Sequence, residues 1–472
     1  MSLQSVNAST LARLLGGPPR DRPFYAAIAA GLRGLVLDGR LPLRTRLPAE
    51  RDLAAILGVS RTTVTSAYDA LRAEGYVESR QGAGSWTALP AGAPAAAHHG
   101  LSADRTLIDL ACVSPAVPAG FDECVAAAVA QLPRHTSGPG YAPLGLPGLR
   151  AAIAARYTDR GVPTVPEQVL VTTGAQHALC LVLQAFTHPG DAVLVESPTY
   201  PHALDGLRRV GARLVPAGVN AGWDPELITG AMRQSAARLA YVIPDFHNPT
   251  GRLMDDGARA TLVAAARDTG AYVVGDETFT ELAVDDVTRP RPLAAHDTDG
   301  RVISIGSAAK VLWGGLRIGW IRAGQALVRR LAEARETVDL ASPVLEQLIV
   351  IELLARMEAI IADRQAMLRE RRGVLTEALR RECPGWEFEP PPGGLSLWVR
   401  LPGVSSTALA AAGTRHGLHI VPGTAFGVDG VLDDHLRVPY VLPPERLREA
   451  VARLALAQRD ADAVGLSRPA YV

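Results

Sequence analysis

Through residues 107–457 short apolar runs alternate with segments long enough to be helices, and this alternation restricts the chain to few architectures. The runs fall at 169–172, 192–196, 239–243, 272–275 and 302–305. Strands spaced so far apart cannot be joined as tight hairpins; they pair in parallel, and the intervening helices cover both faces of the sheet. Beyond about residue 326 the pattern turns mostly helical. Strand-like pieces return at 396–400 and 436–440, which predicts a smaller C-terminal α+β lobe. At 472 residues the chain exceeds one ordinary core, so a second domain is expected.

Residues 22–90 read differently. Ile28, Leu32, Leu35 and Val36 have helical spacing over 24–38, Gly58 stops a second helix over 49–57, and Ser60 caps a third that reaches about residue 73. Two strand-like pieces, 76–79 and 85–88, are bridged by Gln81-Gly-Ala-Gly. A helix, a turn containing Gly, a second helix and a hairpin make a winged helix-turn-helix, whose second helix can lie in the major groove of DNA. Here that helix opens with Ser60-Arg61-Thr62-Thr63, and Thr65 follows. Hydroxyls and amides at a helix N-terminus suit phosphate, and Arg61 can pair bidentately with guanine. A helical module repurposed for protein contacts is the competing reading.

Net charge is +0, so no overall field draws the chain to nucleic acid or membrane. The cationic surplus is local and small: residues 20–90 carry ten Arg against seven Asp plus Glu. Residues 91–106, rich in Ala, Pro and Gly, read as a linker, and His98-His99 within it as solvent-exposed. Cys112, Cys124, Cys180 and Cys383 show no paired spacing, which predicts reduced thiols, no disulfide framework and no metal site. Neither a secretory signal nor an uncharged apolar stretch of the ~20 residues that span a bilayer is found. A cytoplasmic protein without membrane contact is expected. Residues 1–21 and the tail after about 458 carry no readable signal.

Among 48 Lys plus Arg residues, Lys310 is the single lysine. Arg and Lys serve similarly as surface cations, but only Lys has an amine that can be deprotonated and attack a carbonyl. A lone Lys in an Arg-rich chain is either a chance survivor or is kept for its amine.

Two stretches carry specific resemblances. The run Leu47-Pro-Ala-Glu-Arg-Asp-Leu-Ala-Ala-Ile-Leu-Gly-Val-Ser-Arg-Thr-Thr-Val, with Leu71-Arg-Ala-Glu-Gly-Tyr-Val-Glu-Ser-Arg-Gln-Gly-Ala-Gly-Ser-Trp, resembles the GntR family of bacterial regulators. The resemblance implies DNA contacts at Arg51, Ser60, Arg61, Thr62, Thr63, Thr65, Arg80, Gln81 and Gly82. The second, Ser307-Ala-Ala-Lys310 followed by Gly314-Gly-Leu-Arg317-Ile-Gly-Trp, resembles the lysine motif of fold-type I pyridoxal phosphate enzymes. It implies that Lys310 forms a Schiff base with pyridoxal 5′-phosphate while Ser307 and Arg317 bind the phosphate.

The same resemblance assigns further roles. Asp276, after the strand at 272–275, would pair with the pyridine nitrogen; Asn248 in Asn248-Pro-Thr-Gly251 would bond the 3′-oxygen; Tyr200 would stack on the ring. Gly174-Ala175-Gln176 would open a helix at the phosphate. Tyr141 would reach the phosphate of a partner subunit, which makes a homodimer, and Arg437 would clamp a substrate or effector α-carboxylate. In Asp276-Glu-Thr-Phe279 the chain departs from the family, which usually has Tyr in the last place; Phe279 has no hydroxyl to donate to the 3′-oxygen.

Together the two regions resemble the MocR subgroup of GntR regulators, over 22–90 and 107–457. That implies a DNA-binding regulator whose aminotransferase-like domain senses pyridoxal phosphate itself or an amino acid or amine. The alternative is a working aminotransferase of amino acids and 2-oxo acids with a winged-helix module attached.

Overall fold

The computed structural model describes residues 5–19, 22–80, 84–89 and 106–463. The N-terminal module holds helices α1 (Ala8–Leu14), α2 (Phe24–Leu37), α3 (Glu50–Leu57) and α4 (Arg61–Ala73), then a hairpin of β1 (Val77–Arg80) and β2 (Gly84–Thr87). Gly58 ends α3 in the left-handed region at φ 65°, where a Cβ would be strained, and Ser60 caps α4 by accepting from the Thr63 amide. Leu32, Leu35, Leu53, Val64, Tyr68 and Leu71 form the module's own core. Helix α1 arises in a stretch with no sequence signal. Asn7 caps it, and Val6, Leu11 and Ala12 join the same core.

The large domain is built on a seven-stranded sheet. Its strands are β4 (Val169–Thr172), β5 (Ala192–Ser197), β6 (Arg213–Gly218), β7 (Leu239–Val242), β8 (Tyr272–Asp276), β9 (Val302–Ser307) and β10 (Gly319–Arg322), and their order is β4-β10-β9-β8-β7-β5-β6. β10 alone runs antiparallel to its neighbours β4 and β9. β3 (Ile108–Asp109) lies outside this sheet and pairs in parallel with β12 (Leu418–His419). Strands β6 and β10 are additions to the five read from the sequence.

Connecting helices cover both faces. α5 (Phe121–Gln131), α6 (Pro147–Asp159), α7 (Ala175–Phe186), α8 (Pro201–Arg209), α9 (Pro225–Ser235) and α10 (Asp256–Thr269) precede α11 (Gln325–Arg335) and α12 (Val344–Leu354). Leu170, Val193, Tyr241, Val274 and Ile305 pack on one face under α7, α8 and α11, while Val171, Leu194, Val242 and Val273 pack on the other under α6, α10 and α12. Burial on both faces is why these strands read as continuous apolar runs rather than alternating ones.

The C-terminal lobe follows α13 (Met357–Glu382). It pairs β11 (Ser396–Arg400) antiparallel with β13 (His435–Pro439) and packs α14 (Ser406–Arg415) and α15 (Pro444–Ala463) beside them. Among the described residues no helix is long and apolar enough to cross a membrane.

Candidate functional site

A pocket opens at the C-terminal ends of the parallel strands, where open α/β sheets place their ligands. Lys310 comes from the turn after β9, Asp276 ends β8, Asn248 follows β7, Tyr200 follows β5, and Gly174 to Gln176 begin α7 after β4. The side chains of Lys310, Asp276, Asn248, Tyr200, Ala175 and Gln176, with Ser307, Arg317, Phe279, Val113, Thr278 and Ile243, line one cavity, and Gly174 lies beside it against Arg317.

Its charges are arranged by burial. Asp276 is buried and accepts from Tyr241 Oη at 2.7 Å and the Thr278 amide at 3.1 Å. Burial pushes its carboxyl above the usual range, and the Tyr241 and Thr278 hydrogen bonds together with the Lys310 charge pull against that. Burial likewise drives the Lys310 amine down to about 8; the Arg437 and Arg317 cations add to the effect, while Cys112 and Asp276 oppose it. Near neutral pH the amine is still mostly protonated, but its neutral fraction, roughly a tenth at pH 7, far exceeds that of an ordinary lysine. Its Nζ donates to the Val113 carbonyl at 3.1 Å and lies 6.0 Å from the Phe279 ring centroid.

One end of the pocket is shaped for an anion. Arg317 adopts φ 52° just before β10, and Gly174 lies so close that a Cβ there would meet Arg317 Nη2 at 2.6 Å. Ser307 Oγ accepts from the Ala309 amide at 3.1 Å. The N-terminus of α7 adds amides and the positive end of its dipole. Gln176 Oε1 is buried there without a hydrogen-bond partner.

Arg437, on β13, reaches the cavity through Asn248, one of its lining residues. Its Nη1 donates to Asn248 Oδ1 at 3.3 Å and its Nη2 to the Ala111 carbonyl at 2.6 Å, whereas its buried Nε has no partner among the described residues. Burial lowers its guanidinium to about 10. Tyr141 stands apart from this cluster and is 67% exposed.

On the N-terminal module, Arg51 and Arg61 project outward, with side chains 81% and 73% exposed. Thr62 and Thr63 hydroxyls bond Ser60 Oγ at 2.7 and 2.8 Å. The Thr65 hydroxyl donates to Glu50 at 2.7 Å, so its proton is already engaged within the module. Arg80 ends β1; Gln81 and Gly82 lie outside the described residues, as do residues 91–105 of the linker.

Sequence reasoning missed Tyr241, Thr278 and the carbonyls of Ala111 and Val113. Tyr241 reaches Asp276 only because β7 pairs with β8, a neighbour relation that the residue order does not carry. The 111–113 segment crosses the pocket from far along the chain, and nothing in its composition marks it.

Comparison with known proteins follows the same division. Residues 24–86 match the model of bacterial regulatory proteins of the gntR family, and residues 107–454 that of aminotransferase class I and II. The chain is 37% identical to the probable rhizopine catabolism regulatory protein MocR of Rhizobium meliloti, over 64% of this chain and 65% of that protein. It is 29% identical to the HTH-type transcriptional regulator TauR of Rhodobacter capsulatus, over 90% and 94% respectively. Among solved structures, LysN, the alpha-aminoadipate aminotransferase of Thermus thermophilus complexed with N-(5′-phosphopyridoxyl)-L-leucine, superposes with a TM-score of 0.70. The two are 31% identical, over 76% of this chain and 94% of the other. With a gntR-type helix-turn-helix ahead of a fold-type I domain, the chain belongs to the aminotransferase class I and II family and is a MocR-type regulator of the GntR family.

Proposed function

We propose that this transcriptional regulator binds pyridoxal 5′-phosphate in the pocket around Lys310 and responds to that cofactor, or to an amino acid or amine that joins it there, by changing its hold on DNA. The observation that carries the reading is one half-buried lysine, the only one in the chain, with its amine lowered to about 8 beside an anion cradle.

The residues present fit the cofactor. Gly174, Ala175 and Gln176, with Ser307 and Arg317, would take the phosphate, in a cradle that a Cβ at Gly174 would fill. Asp276 would face the ring nitrogen, Tyr200 the ring, and Asn248 the 3′-oxygen. When bound, the group supplies an aldehyde that condenses with primary amines and a ring that withdraws electrons. The chain's own part is to lower the Lys310 amine so that a usable fraction of it is neutral, and to hold Asp276 as an acceptor. Arg437, whose Nε has no other partner, would take an α-carboxylate. The exposed Tyr141 would serve a second copy's phosphate, which makes the homodimer the working unit.

The helix-turn-helix implies DNA binding, through Arg51, Ser60, Arg61, Thr62, Thr63 and Thr65 and the wing residues Arg80, Gln81 and Gly82. A second reading, a working aminotransferase, is favoured by the retention of Lys310, Asp276, Asn248 and Arg437 together. Phe279 counts against it: at that place no hydroxyl reaches the 3′-oxygen. The test is an absorbance titration of the cofactor-loaded protein with a panel of amino acids and amines. A regulator gives a spectral shift that stalls, or none. Full conversion to the pyridoxamine form by one amino acid would instead establish turnover.

A further inference from the structure

The N-terminal module rests on the large domain through a small set of contacts centred on loop 218–224. From α1, Arg13 pairs with Asp224, and with Glu226 at 3.3 Å; Thr10 Oγ1 donates to Glu226 at 3.3 Å and the Ser5 amide to Gln234 at 2.8 Å. At the end of α2, the Leu432 amide donates to the Leu37 carbonyl at 2.8 Å. Backbones meet so closely there that a Cβ at Gly218 would lie 2.2 Å from Arg40 Cα, and one at Gly39 2.7 Å from Ser197 Oγ. These contacts leave the Arg51 and Arg61 side chains open to solvent, so the seated module still presents its DNA face.

The other side of the same loop is tied into the pocket wall. Trp223 Nε1 donates to Glu196 Oε1 at 2.6 Å; Glu196 Oε2 accepts from the Ile243 amide at 2.8 Å and bonds His247 Nε2 at 3.1 Å. Glu196 and His247 are both buried, and His247 is the residue before Asn248, whose amide oxygen holds Arg437. A second route starts at Asn220. Its Oδ1 accepts from Trp398 Nε1 at 2.7 Å and its Nδ2 faces His435 Nε2 at 3.2 Å. His435 lies two residues before Arg437 on β13, hence on the same face of the strand.

We infer that loop 218–224 is the coupling element between ligand and reader: a carboxylate captured by Arg437 alters, through His247 and His435, how the module sits on Asp224 and Gly218. This deepens the sensing role proposed above and rests on it. The physical requirement is that the ligand favour one seating over another. Arg437 meets it, because its buried Nε has no partner among the described residues, a ligand carboxylate would supply one, and the guanidinium would then share its donors between ligand and Asn248. The Arg13 side of its pair with Asp224 is half exposed, so water screens the pair and it is worth little alone. A seat held so lightly can be shifted by a modest differential affinity.

The test is hydrogen exchange on the full chain, with pyridoxal phosphate alone or with N-(5′-phosphopyridoxyl)-L-alanine, the reduced adduct of the cofactor and a small amino acid. The adduct should change exchange in residues 5–14 and 218–227 by roughly 5-fold or more relative to the cofactor alone. In Trp223→Phe, which keeps the ring but loses the donor, the adduct should still bind and the change should vanish. Arg13→Glu should abolish the change within 5–14, and Arg13→Glu with Asp224→Arg should restore it. Unaltered exchange in the wild type, or a full response in Trp223→Phe, overturns the inference. A parallel DNA titration separates it from the sensing role. If exchange responds and DNA affinity does not, the coupling stands and sensing fails; if DNA affinity responds with the seat silent, sensing stands and the coupling falls. A protein that does not retain the adduct refutes both.

Discussion

In the function proposed above, Lys310 is the residue on which the chemistry would turn, and its surroundings would set the pH at which it works. Because burial and two neighbouring Arg lower its amine to about 8, the neutral amine is lost as pH falls below that value. Cofactor capture by the apo protein should therefore rise with pH about a midpoint near 8, read from the visible absorbance of the bound cofactor. Arg437→Leu removes one of the lowering cations, so the midpoint should move up; an unmoved midpoint would show that burial alone sets it. The depressed lysine also disfavours the folded state below about 8, and stability gains as pH rises from there towards the usual lysine value of 10.5. Lys310→Ala should keep the fold, by circular dichroism, and lose all the cofactor that the wild type retains covalently after borohydride reduction and denaturation. At this scale the sequence was informative where a residue type is chemically singular, as with the lone lysine, or sits in a motif, as Asn248, Asp276 and Arg317 do. It was silent on Tyr241, which acts on Asp276 only across paired strands.

Elements bring these residues to one place through turns that tolerate little change. Gly174 has φ 85° and ψ 167°, a region essentially restricted to glycine, and its missing Cβ leaves room for Arg317. Gly174→Ala should cost ~1–3 kcal/mol of strain and weaken cofactor affinity more than it lowers the melting temperature of the cofactor-free protein; equal affinity by titration would remove the cradle from the account. In the N-terminal module, Arg61→Ala should cost ~1–3 kcal/mol of base discrimination, measured by competition between specific and random duplexes. The helices of this module were legible because Gly58 and Ser60 punctuate them. α1 was not: seven residues with a single cap give no periodicity to read, and its apolar positions acquire meaning only against the module's core. β10 escaped for a related reason, since four residues that close an antiparallel gap between β4 and β9 resemble the tail of the preceding motif.

For the whole molecule, the alternation of apolar runs disclosed a helix-covered sheet and a separate N-terminal module. It did not disclose how the two meet, because the contacts are scattered polar pairs and close backbone approaches from Ser5 to Leu432 rather than a pattern. In the sensing role proposed above, that junction would let a pocket in one domain bear on DNA held by another, and coupling of this kind is typically worth ~5–150-fold in affinity. The most direct measurement is a DNA titration with a duplex selected by the protein from a random pool. The wild type and Lys310→Ala would each be tested with and without pyridoxal phosphate. The account predicts that the cofactor changes wild-type affinity by roughly 5-fold or more and leaves Lys310→Ala unchanged. Equal affinities for the wild type in both conditions, or the same shift in both proteins, would contradict it.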